Sequence, residues 1–382
     1  MDILVFGISL REGMAGSVRV RNLLNPLIEN HSVKVNNIYF SNQADSIDDS
    51  GRSDELKVDL NLKNPVSIIT YLSKSLKFIR KKFNKKEKNI FYLYDTPDIK
   101  TIIPLIYART LGYKIVLDIV EDSTHAYSFG GFVNKLRVKS GVYILKNFQF
   151  LIDLNIVISS HLEQLLLSYT SSEKVLFIPV TMDISKFKKS EFKKSKATTL
   201  FYGGSFGKKD GLDLLLKAFE EVCRENEDLK LILTGKGEAI HDFNEFMKLV
   251  NASEFSERIF YKGFIPSEEY QGLLNSCDIF CVIRDNSGAA NAGFPSKLAE
   301  YLATGRAVIV TNVGDVSQHL SHKKNALIVE PESLTSLVGA IKFLIDNPEQ
   351  ISTIGKEGRL VAQEKFNNIK ESNKLLHSLR TI

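Results

Sequence analysis

Short runs of apolar residues recur along the whole chain, and amphipathic stretches separate them. In the first half these runs lie at residues 3–8, 33–40, 89–94, 114–120, 155–159 and 175–179. In the second half they lie at residues 199–204, 229–235, 258–264, 278–283, 307–311 and 326–330. This alternation is typical of buried parallel strands joined by helical crossovers. Six such strands in each half favour two doubly wound α/β domains over one large sheet.

The stretches between the runs carry the period of amphipathic helices. After Asp210 and Gly211, apolar residues recur at positions 212, 215, 216, 219 and 222, which predicts a helix that packs one face on its sheet. A helix is also predicted from about Ser296 to Ala303, with Gly305 as its stop. A last helical pattern covers about residues 364–379, and we expect this helix to cross back to the first domain.

The predicted boundary between the domains is a lysine-rich segment at residues 186–196, which has no aliphatic period and which we interpret as a solvated linker. The N-terminal domain is therefore expected at residues 1–187, with a C-terminal helix at about 364–382 packed back on it. The C-terminal domain is expected at residues 197–363. Both domains are expected to be Rossmann-like.

Composition identifies an ordinary globular protein of 382 residues, with 43% hydrophobic and 25% charged side chains. The chain opens directly on an apolar run with no basic region before it, which favours a buried strand over a signal peptide and predicts a cytoplasmic protein. Cys223, Cys277 and Cys281 lack a metal-binding spacing with histidines, so we interpret them as reduced packing residues.

Residues 74–88 form a basic segment with eight lysines and arginines against the single acid Glu87. The segment also has an apolar face, because Leu72, Leu76, Ile79 and Phe83 recur at helical spacing. Two interpretations stay open. The helix lies on an anionic membrane, which makes the protein peripheral on the inner face of the cell membrane, or it packs as a surface helix on its own sheet. Nucleic-acid binding is disfavoured, because few aromatic residues interleave with the charges.

The segment at residues 288–310 holds the most informative chemistry. Its sequence predicts a glycine-rich loop, then a helix that begins at Ser296 just after Pro295, and then another strand. The amide groups at the start of this helix suit a diphosphate, Lys297 adds a mobile positive charge, and Glu300 can accept hydrogen bonds from a ribose. The alternative is a capped surface helix with a solvated lysine and glutamate.

Two further glycine-rich loops precede helices. Residues 203–211 carry Gly204, Lys208 and Lys209, which suit phosphate oxygens, although a flexible turn with solvated lysines is the alternative. Residues 13–21, with Gly13, Gly16 and Arg19, form a third such loop, expected to face the other two across an interdomain cleft.

Three segments, in order, resemble the family 4 retaining glycosyltransferases over nearly the whole chain. They are YGGSFGKKDGLDLLLKAF, then LILTGKGE followed by IFYKGFIPSEEYQGLLNSCDIFCV, and then GFPSKLAEYLATGRAVIVTNVGDVSQHL. The resemblance implies the GT-B fold, with two facing Rossmann-like domains. It also implies a UDP- or GDP-linked sugar donor bound mainly by the C-terminal domain and a glycan or lipid-linked acceptor bound by the N-terminal one. By analogy, the setting is surface polysaccharide biosynthesis.

The resemblance assigns roles to individual residues. Glu300 matches the glutamate that holds the donor ribose, and Ser296 and Lys297 match the helix start at the diphosphate. The remaining residues expected to bind the donor are Gly204, Ser205, Lys208, Gly293, Phe294 and Pro295. In the family a histidine after the strand at residues 114–120 often lies near the transferred sugar, which makes His125 a catalytic candidate beside Lys209 and Lys297, with an ordinary surface loop as the alternative.

This sequence departs from the family pattern at three positions. Ala292 replaces the first of two glutamates, Ser205 stands where an arginine is usual, and Asp210 stands where a lysine is usual, so Lys209 is the substitute for that lysine. No carboxylate nucleophile is identified, and the resemblance therefore implies front-face attack with retention and no metal ion. Two alternatives remain: a nucleotide-sugar epimerase and a non-catalytic partner subunit.

Overall fold

The chain divides into two compact units in the computed structural model, which describes residues 1–11, 15–41, 54–124, 132–187, 197–207, 209–237 and 241–382. Unit 1 comprises Met1–Thr181 and Asn368–Ile382, and unit 2 comprises Met182–Asn367. Within the described ranges, no helix is long and apolar enough to cross a bilayer.

Unit 1 is a seven-stranded parallel sheet with helices in its crossovers. Its strands are β1 (Asp2–Phe6), β2 (Lys34–Phe40), β3 (Glu55–Val58), β4 (Asn89–Tyr94), β5 (Lys114–Ile119), β6 (Leu154–Val157) and β7 (Val175–Phe177). Its helices are α1 (Ala15–His31), α2 (Pro65–Lys82), α3 (Ile102–Leu111), α4 (Phe132–Asn147), α5 (Ser160–Leu167) and, from the end of the chain, α14 (Asn368–Thr381). The strand order is β3-β2-β1-β4-β5-β6-β7.

The C-terminal helix belongs to the core of unit 1. Leu375, Leu376 and Leu379 of α14 are buried against Val20 and Leu23 of α1. The Ser372 hydroxyl, on the same helix, donates a hydrogen bond to the backbone oxygen of Leu23 at 2.7 Å. The last helix of the chain therefore covers the first sheet rather than the second.

Unit 2 is a six-stranded parallel sheet in the order β10-β9-β8-β11-β12-β13. Its strands are β8 (Thr198–Gly203), β9 (Leu229–Thr234), β10 (Ile259–Tyr261), β11 (Ile279–Val282), β12 (Ala307–Thr311) and β13 (Leu327–Val329). Its helices are α6 (Leu212–Cys223), α7 (His241–Ala252), α8 (Ser267–Ser276), α9 (Gly288–Ala292), α10 (Ser296–Ala303), α11 (Val316–His319), α12 (Leu334–Asp346) and α13 (Pro348–Lys365).

The sequence patterns predicted these elements with two corrections. The first-half pattern omitted β3, because this short edge strand buries only Val58 and so shows no apolar run. The segment expected to be a glycine-rich loop before Ser296 contains the short helix α9, which the Ser287 side chain caps by accepting from the amide of Ala290. The three alanines of α9, the best helix formers, outweigh its single glycine. The predicted helix at 296–303 is confirmed.

The predicted apolar stripe of α6 is confirmed. Leu212, Leu215, Leu216, Phe219 and Val222 are all buried in the core of unit 2. Cys223, Cys277 and Cys281 are free thiols and buried, consistent with a packing role.

Candidate functional site

Two loops of unit 2 are joined by backbone hydrogen bonds at the carboxyl edge of its sheet. Gly211 donates its amide hydrogen to the Ile283 oxygen at 2.9 Å, and Asp285 donates to the Lys209 oxygen at 3.1 Å. Asp210 and Arg284 form an isolated antiparallel bridge between these contacts. The loop after β8 and the loop after β11 therefore form one surface, where the strand order reverses direction and where ligands of open α/β sheets bind.

The carboxylate of Asp210 organises the loop after β8. Its Oδ2 atom accepts hydrogen bonds from the Tyr202 hydroxyl at 2.9 Å, the Ser205 hydroxyl at 3.1 Å and the Gly207 amide at 3.1 Å. Burial, reinforced by the charge of Asp210, raises the pKa of Tyr202 well above its ordinary value, so this phenol stays protonated and donates. Ser205, which was predicted to bind the donor, uses its hydroxyl within the loop.

The same loop touches the end of β9 without intervening side chains. The Gly204 amide donates to the Thr234 oxygen at 3.0 Å. Gly235 has φ 143°, and a Cβ atom built on it would lie 1.8 Å from the Gly204 oxygen. Only glycine fits at position 235, so this close backbone contact fixes the position of Gly204 at the edge of the sheet.

Helix α10 begins directly above this edge. The Tyr301 hydroxyl accepts a hydrogen bond from the Gly203 amide and donates one to the Gly203 oxygen, each at 3.0 Å, which ties the helix to the end of β8. Pro295 is the N-cap residue and provides no side-chain cap. The first amides of a helix lack intrahelical partners, and Ser296 at the first position is exposed. This helix start is the part of unit 2 best suited to an anion.

Lys297 and Glu300 form an ion pair one turn into α10. The Lys297 Nζ atom lies 2.9 Å from Glu300 Oε2 and 4.8 Å from the centre of the Tyr270 ring. Burial lowers the pKa of Lys297, but the attraction and hydrogen bond of the Glu300 carboxylate together with the effect of Tyr301 outweigh it, and the net result is a raised pKa. The lysine is therefore charged and held in place, whereas the sequence analysis expected a mobile charge.

The residues before α10 pack inward more than the sequence analysis expected. Phe294 is buried, with its ring centre 5.3 Å from that of His319 and 5.5 Å from that of Phe366. Pro295 is buried and Gly293 is half-buried. Ala292, at the position of the missing glutamate, is also buried. The Phe294 side chain thus packs in the interior, while its backbone continues into the start of α10.

In unit 1, Gly16 and Arg19 lie within α1 rather than in a loop. A Cβ atom on Gly16 would lie 2.5 Å from both Ile8 Cδ1 and the Tyr94 hydroxyl, so the glycine permits close helix packing. Arg19 is buried and paired with the buried Asp118, with Nη2 to Oδ1 at 2.9 Å, and its Nη1 donates to the Pro179 oxygen at 2.8 Å. Arg19 therefore stabilises the fold of unit 1, contrary to the expected role in an anion-binding loop.

The loop after β5 holds a second polar cluster. The His161 Nε2 atom lies 2.8 Å from Asp122 Oδ2, and Asp122 Oδ1 accepts from the amide and hydroxyl of Thr124. His161 lies on α5 and contacts this loop from that helix. Three predicted site residues, His125, Gly13 and Lys208, lie outside the described residues.

Two residues at the carboxyl edges escaped the sequence analysis. Arg284 lies just after β11, separated from it by Ile283, and pairs its backbone with Asp210. Asp95 follows β4, where unit 1 reverses its strand order, and has φ 74°, which is uncommon for a residue other than glycine. Both directly follow a strand that the sequence predicted, and this position at a carboxyl end was the signal that could have identified them as candidate site residues.

Asp95 is also electrostatically unusual. Its amide donates to the Asp118 oxygen at 2.8 Å, and its Oδ1 atom accepts from the Thr96 amide at 2.7 Å. Desolvation by the surrounding protein raises the pKa of the Asp95 carboxyl to about 6, and the nearby charge of Glu121 adds to the shift. A carboxylate that titrates near neutral pH at a sheet edge is a candidate for binding hydroxyl groups.

Comparison with known proteins identifies the family of unit 2. Residues 183–361 match the family model of glycosyl transferases group 1. An uncharacterized glycosyltransferase of Haemophilus influenzae is 24% identical over 46% of this chain and 47% of its own length. A phosphatidylinositol N-acetylglucosaminyltransferase component from Arabidopsis thaliana is 26% identical over 65% of this chain and 53% of its own. The chain thus spans about half the length of the curated relatives it matches.

Solved structures identify the fold. Sucrose-phosphate synthase from Thermosynechococcus elongatus has a TM-score of 0.75 and 17% identity, covering 100% of this chain and 98% of that one. Anabaena HepE in complex with UDP and glucose also has a TM-score of 0.75, with 14% identity and full coverage of both chains. The fold of this chain is therefore GT-B. Residues 183–361, nearly the whole of unit 2, belong to the glycosyl transferases of group 1.

Proposed function

We propose that this protein is a retaining glycosyltransferase of the family 4 type, which transfers a sugar from a UDP- or GDP-linked donor to a glycan or lipid-linked acceptor. One observation carries the proposal. The loops after β8 and β11 are hydrogen-bonded to each other at the switch point of the second sheet, and the start of α10 is tied to the end of β8. Backbone amides, Lys297 and Glu300 thereby lie at the edge where a nucleotide diphosphate binds in this class of fold.

The groups at this edge suit the charge that develops during transfer. Breaking the bond between the anomeric carbon and the diphosphate leaves negative charge on the leaving group, which fixed cations and amides stabilise. Among the described residues of the joined loops and the helix start, the basic ones are Lys209, Arg284 and Lys297. Glu300 accepts from the ribose hydroxyls in the proposed complex. The leaving phosphate takes the acceptor proton in a front-face reaction, and no metal ion takes part in the proposal.

The acceptor is assigned to unit 1. Asp95 directly follows β4, and the proposed catalytic His125 comes after the neighbouring strand β5 in the sequence. A relative from Escherichia coli that is 26% identical is named a putative colanic acid biosynthesis glycosyl transferase. That name supports a role in surface polysaccharide assembly. We further propose a cytoplasmic location at the inner face of the cell membrane, with the basic segment at residues 74–88 against anionic lipid.

Calorimetry with UDP, GDP, ADP and dTDP, with and without magnesium, tests the donor site. We expect one nucleotide to bind the wild type, with affinity unchanged by magnesium, and Glu300→Ala to weaken that binding at least about tenfold, since a hydrogen bond to a charged group contributes about 1.5–3 kcal/mol. Glu227→Ala is the matched control, because Glu227 is exposed and precedes β9 at the opposite edge of the sheet. The protein is then incubated with the matching nucleotide-sugar, with and without candidate acceptors, and the product that carries the sugar is identified.

The outcomes separate the proposal from its alternatives. Sugar transfer with retained anomeric configuration supports it. Nucleotide-sugar conversion in the absence of acceptor would identify an epimerase. Failure of all four nucleotides to bind a folded protein would contradict the proposal and indicate a non-catalytic role in a larger assembly, which Ala292, Ser205 and Asp210 already raise as a possibility.

A further inference from the structure

Four helices of unit 1, α2 to α5, lie on one face of its sheet, and α5 lies at the edge of that face beside β7. Helices α2, α3 and α4 connect β3 to β4, β4 to β5 and β5 to β6, and each step advances in the same direction across the sheet. Right-handed crossovers place such helices on one face, and they place α1, whose connection runs the other way, on the opposite face. Ring contacts agree, since Tyr71 of α2 packs on Phe40 with ring centres 5.8 Å apart, while α1 packs with α14 in a separate core.

The outer surface of α2, α3 and α4 carries most of the exposed large apolar side chains described in unit 1. The exposed fraction of each side chain lies between 40% and 69%. They are Val66 and Ile69 on α2, Ile99 just before α3, Ile103 and Ile106 on α3, Leu136 and Tyr143 on α4, and Phe150 shortly after α4. Single exposed apolar residues are ordinary, whereas eight on or beside the helices of one face make that face a candidate binding surface.

The charge of this three-helix surface has one sign. Helix α2 carries five basic side chains, α3 one and α4 four, and none of the three helices contains an aspartate or glutamate. The surroundings differ, because the edge helix α5 contains Glu163 and, on the opposite face, α1 contains the exposed Glu29. Arg109 and Arg137 pair with Asp153 and Asp98, which lie outside the three helices. An anionic partner therefore matches the surface over its whole width.

Helix α4 shows how apolar and basic groups are arranged. Leu136 and Tyr143 are seven residues apart, so they point in nearly the same direction, and the exposed Lys139 and Lys146 lie on one side of that line. Phe148 and Phe150 stack after the helix, with ring centres 5.7 Å apart. Long basic side chains beside an apolar ridge can reach lipid headgroups while the ridge enters the bilayer.

We propose that the outer surface of α2, α3 and α4 docks on an anionic lipid bilayer, with the exposed apolar side chains inserted between headgroups and the lysines paired with lipid phosphates. The proposal extends the proposed function, on which its link to a lipid-linked acceptor rests. A bilayer fits better than nucleic acid, because five of the eight exposed residues are valine or isoleucine, and base stacking requires aromatic rings.

The structure changes which side chains make this contact. The sequence analysis assigned the apolar contribution to Leu72, Leu76, Ile79 and Phe83. Ile79 is fully buried, and the other three are half-buried against their own unit. These four side chains therefore pack on the sheet of unit 1, as the alternative interpretation of the basic segment expected. Val66 and Ile69, near the start of the same helix, remain exposed.

Cosedimentation with phosphatidylcholine vesicles, with and without phosphatidylglycerol, tests the docking surface. We expect the wild type to prefer the anionic vesicles and to release as salt rises. The double variant Ile69→Ser with Ile106→Ser should bind at least about tenfold more weakly, since two inserted side chains are lost. The matched control is Ile28→Ser with Ile369→Ser, because these exposed isoleucines lie on α1 and α14. Lys135, Lys139 and Lys146 changed together to glutamine should remove the preference for anionic lipid.

Circular dichroism of each variant confirms that these surface changes leave the fold intact. The docking proposal fails if the wild type ignores anionic vesicles, if the control double variant loses as much binding as the test variant, or if a single-stranded RNA competes off all bound vesicles. Nucleotide calorimetry on the same variants keeps the two proposals apart. Vesicle binding without nucleotide binding would overturn the proposed sugar transfer alone. Nucleotide binding without vesicle binding would overturn the docking surface and the proposed membrane location, and it would leave the proposed sugar transfer intact.

Discussion

The ammonium group of Lys297 and the carboxylate of Glu300 lie 2.9 Å apart on the first turns of α10. Both residues are assigned to the donor, the lysine to the diphosphate and the glutamate to the ribose. A donor that contacts both must therefore replace the attraction between them with its own hydrogen bonds. The ion pair holds the two side chains in place before the donor arrives, which reduces the entropy lost on binding.

The two residues should affect different parts of the nucleotide. We expect Lys297→Met to weaken binding of the nucleoside diphosphate about tenfold to a hundredfold while hardly affecting the monophosphate, because only the outer phosphate loses its cation. Glu300→Gln should weaken both nucleotides alike, since both retain the ribose. Calorimetry with the diphosphate and with the monophosphate measures how much affinity each variant loses for each nucleotide. Equal losses of diphosphate and monophosphate in Lys297→Met would remove this lysine from the phosphate site.

Removal of the Asp210 carboxylate should destabilise unit 2 and misplace the loop after β8. Asp210→Ala leaves three donors without their acceptor, including the buried Tyr202 hydroxyl, and we expect a loss of about 1–3 kcal/mol in the free energy of unfolding. Nucleotide affinity should fall as well. Asp213→Ala, in the exposed first turn of α6, is the control. Unchanged stability and affinity in Asp210→Ala would show that the loop does not depend on this carboxylate.

The buried pair of Arg19 and Asp118 should contribute to stability rather than catalysis. Arg19→Met leaves a buried carboxylate without its cation, and the expected cost is about 3–5 kcal/mol in urea unfolding at neutral pH. Arg224→Met removes an exposed pair with Glu254 and should cost less than about 1 kcal/mol. Hydrogen exchange of the backbone amides in β4 and β5 shows whether the lost stability belongs to unit 1. A small loss in Arg19→Met together with lost nucleotide binding would restore the expected anion-binding role.

The raised pKa of Asp95 predicts a pH-dependent contribution to stability. Because the folded pKa, about 6, lies above that of an unfolded aspartate, the contribution of this group is fully present below the unfolded pKa and is lost as pH rises toward 6. Because Asp95 is itself exposed, solvent screening keeps the effect small, but the stability advantage of Asp95→Asn over the wild type should grow between pH 4 and pH 6. Thermal unfolding across that range measures the difference, with Asp59→Asn, another exposed aspartate of the same unit, as the control. A difference independent of pH would show that the carboxyl titrates normally.

The sequence by itself determined much of the fold. Alternating apolar runs and helical periods predicted twelve of the thirteen strands that the structure describes, because a buried parallel strand is largely apolar on both faces. Proline before Ser296 and glycine at 305 similarly predicted both ends of α10, since these residues act on the local backbone. The exception, β3, is an edge strand whose pairing depends on β2 and leaves almost no pattern in its own four residues.

Only the tertiary structure decided how the individual side chains are used. Arg19 and Lys297 are both basic residues near glycine-rich segments, yet one is buried against Asp118 and the other is paired with Glu300. The exposed face of α2 likewise depends on which of its apolar residues pack against the sheet. Such partners lie on other turns and strands, so their positions follow from packing and electrostatics over long sequence separations. The local pattern records the type of residue and its period, whereas a charge, a hydrogen bond or an exposed face is decided by what the fold places beside it.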